Sequence, residues 1–203
     1  MIAAIQAGGQ SSRMGQDKSW LTIDGRLMIE HVLAAARTVA ERLAIVIHPT
    51  NPNMALYEEL AARWKAEVLF DKHDYRGPLG GIETALRHSG ENEAAFILAC
   101  DLPFLSGTFL QLLRQIHQAE KCNLTVPLDD AGRPQMLAAI YGASCLQPVQ
   151  TMLAADELKV QLLQDYVTTR RVNVAEYSHL PNARRLLLNV NTPEDYRKLE
   201  GVQ

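Results

Sequence analysis

Short apolar runs alternate along the chain with segments in which apolar residues recur every three or four positions. The apolar runs predict β-strands at residues 2–6, 44–47, 67–70, 95–100, 124–128, 138–141 and 186–188. The helical spacing predicts helices at residues 28–43, 55–64, 82–87, 108–119, 146–155 and 158–164, with a last helix opened by the TPED segment at 192–195. This alternation is typical of an α/β fold with a largely parallel sheet.

Polar residues follow several of the predicted strands directly. The first strand leads into the glycine-rich segment AGGQSSRMGQDK at 7–18, the second into His48, the third into Asp71, and the strand at 95–100 into Asp101. Ligands of open parallel sheets bind just outside the carboxyl ends of the strands. We therefore expect one ligand site at this edge of the sheet.

The glycine-rich segment has the composition of a polyphosphate-binding loop. Gly8 and Gly9 allow backbone N–H groups to approach phosphate oxygens closely, and Arg13 and Lys18 can neutralise their charge. A Gly-Gly turn alone would equally suit a plain strand-to-helix connection. The segment also departs from the P-loop pattern, because Lys18 does not directly follow a glycine at the required spacing. A triphosphate site of another kind is the prediction.

Two aspartates at strand ends are candidates for the same site. Asp101 lies in the segment CDLPF, where its carboxylate could hold Mg²⁺, although an aspartate here could also cap a helix. Asp71 precedes the GPLGG segment at 77–81, and together they could surround the base or ribose of a nucleotide. The pair could alternatively serve acid–base chemistry on a sugar, but no second motif supports hydrolysis.

Isolated histidines show neither metal-ligand spacing nor a neighbouring nucleophile, and we interpret them as surface or packing residues. They are His31, His73, His88, His117 and His179.

The composition fits a globular protein. Of the 203 residues, 47% are hydrophobic and 21% are charged, and the formal net charge is −3. This balance argues against disorder, and the absence of a basic excess argues against a nucleic-acid partner. No apolar run approaches the length of a membrane span, and three scattered cysteines suit reduced thiols in the cytoplasm.

Four segments together resemble the molybdenum cofactor guanylyltransferase family: AGGQSSRMGQDK, GPLGG, ACDLPF at 99–104 and NVNTPED at 189–195. The resemblance spans about residues 2–199. It implies a Rossmann-like three-layer nucleotidyltransferase fold with a mostly parallel mixed sheet. It also implies a single domain over residues 1–203, with a nucleotide-binding part at about 1–105 and an acceptor part at about 106–200.

The activity implied by the resemblance is transfer of GMP from GTP to the phosphate of molybdopterin, with Mg²⁺ as cofactor and pyrophosphate as the second product. A cytoplasmic enzyme of this kind has small-molecule substrates and makes transient contact with molybdenum cofactor insertion and delivery proteins. Neither a nucleic acid nor a membrane is an expected partner.

Site residues carry over from the family position by position. Those matched to nucleotide binding are Gln6, Ala7, Gly8, Gly9, Arg13, Lys18, Asp71, Gly77, Pro78 and Asp101. Within this set Arg13, Lys18 and Asp101 match catalytic positions, and Asp101 matches the Mg²⁺ ligand. The positions matched to the acceptor are Asn189, Asn191 and Arg133.

Two departures from the family pattern leave the choice of base open. Gln6 replaces the hydrophobic residue that usually precedes the Ala-Gly-Gly sequence, and His48 to Asn51 stand where the family often has an asparagine. A cytidylyltransferase acting on the same cofactor therefore remains an alternative. A nucleotide-binding module without turnover is a second alternative, from another functional class.

Overall fold

The alternating pattern folds into one seven-stranded sheet with helices packed on both faces. The structure is a computed structural model, and it describes residues 1–7, 17–71, 73, 77–191 and 195. The strands of this sheet are β1 (Ile2–Gln6), β4 (Arg42–Ile47), β5 (Ala66–Phe70), β6 (Ala95–Ala99), β7 (Leu124–Pro127), β8 (Ala138–Tyr141) and β9 (Thr169–Val172). Two short strands, β2 (Thr22–Ile23) and β3 (Arg26–Leu27), form a separate antiparallel hairpin.

The strand order in the large sheet is β5-β4-β1-β6-β8-β7-β9. Strands β5, β4, β1 and β6 pair in parallel, as do β7 and β9, whereas β8 runs antiparallel to both of its neighbours. The predicted mostly parallel mixed sheet is thus confirmed. The carboxyl ends of the four parallel strands lie together at one edge.

The described part of the chain contains six α-helices, of which five lie between strands and the sixth follows β9, together with several short 3₁₀ turns. The helices are α1 (Met28–Arg37), α2 (Met54–Trp64), α3 (Pro78–Ser89), α4 (Gly107–Glu120), α5 (Leu146–Ala154) and α6 (Val174–Tyr177). The 3₁₀ turns are Lys18–Trp20, Ala143–Cys145, Val160–Asp165 and Ala183–Arg185. Among the described residues, no helix is both long and apolar enough to cross a membrane.

The core consists of two apolar layers separated by the sheet. Alternate residues of a strand point to opposite faces, so Ala3 and Ile5 contribute to one layer and Ile2 and Ala4 to the other. Helices α1, α2 and α4 cover the first layer, and α3 and α5 cover the second. Burial on both faces explains why β1 and β6 are continuous apolar runs rather than alternating ones.

Helix α1 is shorter than the pattern predicts. It ends at Arg37 instead of residue 43, and β4 begins already at Arg42. Leu43 continues the helical spacing in the sequence, but in the fold it pairs in register with Ala3 of β1. For Leu43, parallel pairing with β1 determines the structure, and the helical spacing of the sequence does not. The segment at 158–164 is likewise a 3₁₀ turn, Val160–Asp165, and not an α-helix.

The prediction of a strand at 186–188 is wrong. The 3₁₀ turn Ala183–Arg185 leads directly into this segment, and the N–H of Leu188 donates to the carbonyl of Arg185 at 3.0 Å. Leu186 and Leu187 are apolar because they are buried in the core layer that also contains α1, α2 and α4, not because they extend the sheet. The residues that would open the last helix, 192–194, lie outside the described residues.

Strand β9 and helix α6 were not predicted. The strand has the sequence TRRV, of which only Val172 is buried, because β9 forms the edge of the sheet. β9 pairs with β7 through backbone hydrogen bonds, which do not require apolar side chains. The sequence therefore contains no apolar run that would predict this strand.

Gly107 allows close packing at the start of α4. Ser106 caps this helix by accepting a hydrogen bond from the N–H of Phe109 at 3.2 Å. A Cβ atom on Gly107 would lie 3.0 Å from both the Cβ and the Cγ2 of Thr38, and closer still to its Oγ1. The ends of α1 and α4 can therefore meet only because residue 107 lacks a side chain.

We predict that Gly107→Ala destabilises the fold by roughly 1–2 kcal/mol, as overpacked sites generally do. The gain in helix propensity, at most about 1 kcal/mol, is too small to reverse the sign. Urea unfolding measures the effect. In a Thr38→Ala background, which removes Oγ1 and Cγ2, the cost should shrink; an equal cost in both backgrounds would contradict this packing explanation.

Candidate functional site

A pocket of about 670 Å³ opens at the sheet edge where β1, β4, β5 and β6 end. Most of the site residues matched from the family line this pocket, namely Gln6, Ala7, Lys18, Asp71, Gly77, Pro78, Asp101 and Asn189. Gly8, Gly9 and Arg13 lie outside the described residues. The pocket thus lies at the carboxyl ends of the strands, where the sequence predicts a ligand site.

Lys18 is held in place by a small polar network behind the pocket. Asp17 caps the 3₁₀ turn that begins at Lys18, its Oδ1 accepting from the N–H of Ser19 at 3.1 Å. The hydroxyl of Tyr57 donates to the Oδ2 of Asp17 at 2.7 Å. Burial, followed by the negative charge of Asp17, raises the pKa of Tyr57, so this hydroxyl keeps its proton. Helix α2 therefore fixes where the glycine-rich segment ends.

The ammonium group of Lys18 reaches across to the C-terminal part of the chain. Its Nζ donates to the Oδ1 of Asn191 at 2.7 Å. Two residues earlier Asn189 lines the pocket, and between them the N–H of Val190 donates to the carbonyl of Asp101 at 3.0 Å. The structure thus brings Asn189 and Asn191, both matched to the acceptor, next to Lys18 and Asp101.

Asp101 combines burial with an unsatisfied oxygen. Its Oδ1 atom is buried and accepts no hydrogen bond from any part of the chain that the structure describes. Burial raises the pKa of Asp101, and the positive charge of Lys18 acts in the opposite direction. A buried carboxylate oxygen without a partner is costly for an apo site and suits a bound cation.

The surroundings of Asp101 suit a Mg²⁺ site better than a site in which every metal ligand comes from the protein. Among the described residues no group of three or more His, Cys, Asp or Glu side chains could hold a metal ion. Mg²⁺ commonly takes one or two carboxylates and completes its coordination with waters and substrate phosphates. The residues present therefore fit Mg²⁺ held jointly by Asp101 and a phosphorylated ligand.

Cys100, the residue before Asp101, does not supply a nucleophile. Its backbone N–H donates to the carbonyl of Gln6 at 3.1 Å, which extends the pairing of β6 with β1. Burial raises the pKa of its thiol to about 12, with the neighbouring negative charge of Asp101 acting in the same direction. A thiol that keeps its proton is a poor nucleophile, even though Cys100 is only half-buried.

The GPLGG segment is the first turn of α3 and not a loop before it. Pro78 occupies the first helical position after Gly77, whose φ of +62° and ψ of −154° suit glycine. A Cβ atom on Gly80 would lie 2.5 Å from the Oδ2 of Asp71, and one on Gly81 would lie 2.8 Å from the Cδ of Gln6. The glycines therefore let the helix N-terminus approach both side chains directly.

Gln6 and Asp71 are oriented by this approach. The Nε2 of Gln6 donates to the carbonyl of Pro78 at 3.0 Å, and the Oδ1 of Asp71 accepts from the N–H of His73 at 2.9 Å. Burial raises the pKa of Asp71 above its usual value, against the effect of that hydrogen bond. Two hydrogen-bonding side chains thus face the pocket beside the start of α3.

Arg133 does not line the pocket. Its exposed side chain pairs with Asp129, the Nε to Oδ2 distance being 2.8 Å. The pocket instead includes Gln135, whose Nε2 donates to the same Oδ2 at 2.9 Å. A direct contact between Arg133 and the acceptor stays a prediction.

Two histidines, His48 and His73, line the pocket. The sequence pattern places His48 at the ligand edge of the sheet, but the interpretation of His73 as a surface or packing residue is wrong. The one sequence feature that points to His73 is its position two residues after Asp71, at the end of a strand. Its hydrogen-bond partner Glu83 lies on the next helix.

The pocket at the carboxyl edge of a mostly parallel sheet, lined by a lysine and by an aspartate with one buried oxygen, defines a nucleotide-binding α/β protein of the nucleotidyltransferase class. Residues 3–170 match the MobA-like NTP transferase domain. The chain is 36% identical to a probable molybdenum cofactor guanylyltransferase of Carboxydothermus hydrogenoformans, over 98% of this chain and 94% of that protein. It is 30% identical to a molybdenum cofactor guanylyltransferase of a Shewanella species, over 97% and 93%.

Solved structures agree with these sequence relatives. The molybdopterin-guanine dinucleotide biosynthesis protein A of Archaeoglobus fulgidus superposes with a TM-score of 0.81 at 25% identity, covering 100% of this chain and 98% of that one. A 4-diphosphocytidyl-2C-methyl-D-erythritol synthase of Anaerococcus prevotii shares only the fold, with a TM-score of 0.69, 12% identity, and coverage of 99% and 97%. The chain therefore belongs to the molybdenum cofactor guanylyltransferase family of MobA-like NTP transferases.

We predict that Gly80→Ala weakens GTP binding by about tenfold or more, because the added Cβ displaces the Asp71 carboxylate and overpacking of this kind costs about 1–3 kcal/mol. Isothermal titration calorimetry measures the affinity. Gly107→Ala is the matched control, since it adds the same methyl group to another crowded helix start outside the pocket. Equal GTP affinity in both variants would contradict a role for this approach in ligand binding.

Proposed function

We propose that the chain transfers GMP from GTP to the phosphate of molybdopterin, with or without bound molybdenum, and releases pyrophosphate. Family membership and the names of the relatives support this activity. The observation that carries it is Asp101, whose buried Oδ1 has no hydrogen-bond partner among the described residues and which lines the pocket together with Lys18. Lys18 would supply positive charge to a bound triphosphate, and a Mg²⁺ ion held by Asp101 would supply more.

We place the triphosphate over the ends of β1 and β6. Lys18 contacts phosphate oxygens, joined by Arg13 and by the backbone of Gly8 and Gly9. The nucleoside extends toward β4 and β5, where Gln6, Ala7, Asp71, Gly77 and Pro78 surround it. Support comes from the strand order and from the joint lining of the pocket by the described members of this set.

Catalysis requires positioning and charge neutralisation more than covalent chemistry. The phosphate of molybdopterin is already an anionic nucleophile; its oxygen forms a new bond to the α-phosphorus of GTP, and the bond from that phosphorus to the bridging oxygen breaks. Lys18, oriented by Asn191, neutralises the negative charge that builds up on the pyrophosphate. Asp101 would hold a Mg²⁺ ion, which would supply further positive charge to the phosphates. No general base is needed.

The acceptor occupies the remaining side of the pocket. Asn189 and Gln135 line the pocket and offer amide groups suited to a pterin, whereas Asn191 lies outside the lining and holds Lys18. Arg133 lies on the same turn as Gln135, from which it could reach the acceptor once Asp129 releases it. In this division residues 1–105 hold the nucleotide and 106–200 the acceptor, within one domain.

The product requires delivery to other proteins. We propose a cytoplasmic reaction, in keeping with three free cysteines, and transient contact with proteins that insert and deliver the molybdenum cofactor.

Asp101→Asn should lower the rate of pyrophosphate release from GTP and molybdopterin by at least about 10²–10³-fold, because the amide keeps the shape but loses the charge. Release is followed with a coupled phosphate assay in the presence of Mg²⁺. The control is Asp130→Asn, which changes an exposed aspartate outside the pocket. Undiminished release in Asp101→Asn would contradict the proposed metal ligand, and a preference for CTP over GTP in the unmodified protein would contradict guanylyl transfer.

A further inference from the structure

His73 lies at the far end of the pocket and is held from two sides. Its backbone N–H donates to the Oδ1 of Asp71 at 2.9 Å, and its ring Nε2 lies 2.7 Å from the Oε2 of Glu83. About a third of the side chain is exposed, and it lines the pocket. The imidazole is therefore a fixed group that a ligand can reach.

Glu83 is a buried carboxylate with several partners. It lies on α3 and is 7% exposed, and its Oε1 accepts from the Nε of Arg87 at 2.6 Å and the Nε2 of Gln150 at 3.0 Å. Burial alone would raise the pKa of Glu83, but the hydrogen bonds from His73, Arg87 and Gln150 outweigh it and the pKa lies below its usual value. The carboxylate is thus ionised at neutral pH.

An ionised Glu83 determines which nitrogen of His73 carries the proton. A carboxylate only accepts hydrogen bonds, so Nε2 must donate to it. In the neutral ring Nδ1 then has a free lone pair and acts as an acceptor. Its natural partner is an O–H or N–H group.

The position of His73 indicates which part of a nucleotide supplies that group. His73 follows β5, and the sheet order places β5 two strands away from β1, a distance of about 10 Å at normal strand spacing. Asp101 follows the end of β6, which pairs with β1, and the positive charge of Lys18 acts on Asp101, so these two residues mark the phosphate end. A nucleoside triphosphate with its phosphates there extends its nucleoside over β4 toward β5.

We propose that Glu83 fixes His73 as a hydrogen-bond acceptor for the nucleoside of GTP, either for a ribose hydroxyl or for the 2-amino group of guanine. This inference rests on the proposed function, because it takes GTP as the ligand. His73 contacts the nucleoside, and Glu83 is a positioning residue that acts through the histidine.

The test compares nucleotides that each lack one candidate donor. Calorimetry with Mg²⁺ measures the dissociation constants of GTP, 2′-deoxy-GTP, 3′-deoxy-GTP and inosine triphosphate. In the unmodified protein the analogue without the contacted group should bind about 5–10-fold more weakly than GTP, the usual effect of one hydrogen bond. In His73→Ala, GTP should bind as weakly as that analogue, and the analogue itself should lose little further affinity.

Glu83→Gln probes the positioning role without removing the imidazole. Its amide oxygen can still accept from Arg87 and Gln150, while its N–H group faces His73 and turns Nε2 into an acceptor. The ring proton then moves to Nδ1, and discrimination against the same analogue should disappear. If this buried substitution fails to fold, His73→Ala decides the question alone.

His88→Ala is the matched control. The Nε2 of His88 also lies 2.7 Å from a glutamate, Glu67, and its side chain is 33% exposed against 34% for His73, but it lies outside the pocket. This variant should bind every nucleotide as the unmodified protein does. The proposal is overturned if His73→Ala weakens all four nucleotides equally, or none of them. Failure of the unmodified protein to bind GTP would overturn the proposed function as well.

Discussion

Parallel pairing of β1 with β4 on one side and β6 on the other is the constraint on which the pocket depends. The backbone ladder continues one residue past the strands, since the N–H of Ala7 donates to Val46 and that of Cys100 donates to Gln6. Neighbouring strands lie about 4.8 Å apart, so whatever follows them in sequence meets at one edge. Ala7 and Asp101, which are far apart in sequence, line the same pocket for this reason.

Close approach of α3 to that edge is the second requirement. Gly80 and Gly81 bring the helix N-terminus against Asp71 and Gln6, where its unpaired N–H groups and positive dipole end favour anions and polar ligands. One turn further along the same helix, Glu83 holds His73. A single helix thus supports three side chains of the pocket, two through its glycines and one through a buried carboxylate.

Much of this arrangement follows from local sequence patterns, and the rest does not. Strands β1 and β8 have the predicted bounds, and Asp71 and Asp101 were located because an aspartate directly after an apolar strand must lie at the sheet edge. The extent of α1 was misjudged because Leu43 satisfies both helical spacing and strand burial. His73 cannot be recognised as a pocket residue from the sequence, because Glu83 orients it through a tertiary contact that leaves no periodic signal.

The central claim is that this edge of the sheet holds GTP so that its α-phosphorus, and not its γ-phosphorus, is attacked by the acceptor. The most direct measurement incubates the protein, Mg²⁺ and molybdopterin with GTP labelled at the α-phosphorus and, separately, with GTP labelled at the γ-phosphorus. Label from the α-position should appear in the pterin product and label from the γ-position in pyrophosphate. Transfer of the γ-label to the pterin, or of neither label, would contradict the account.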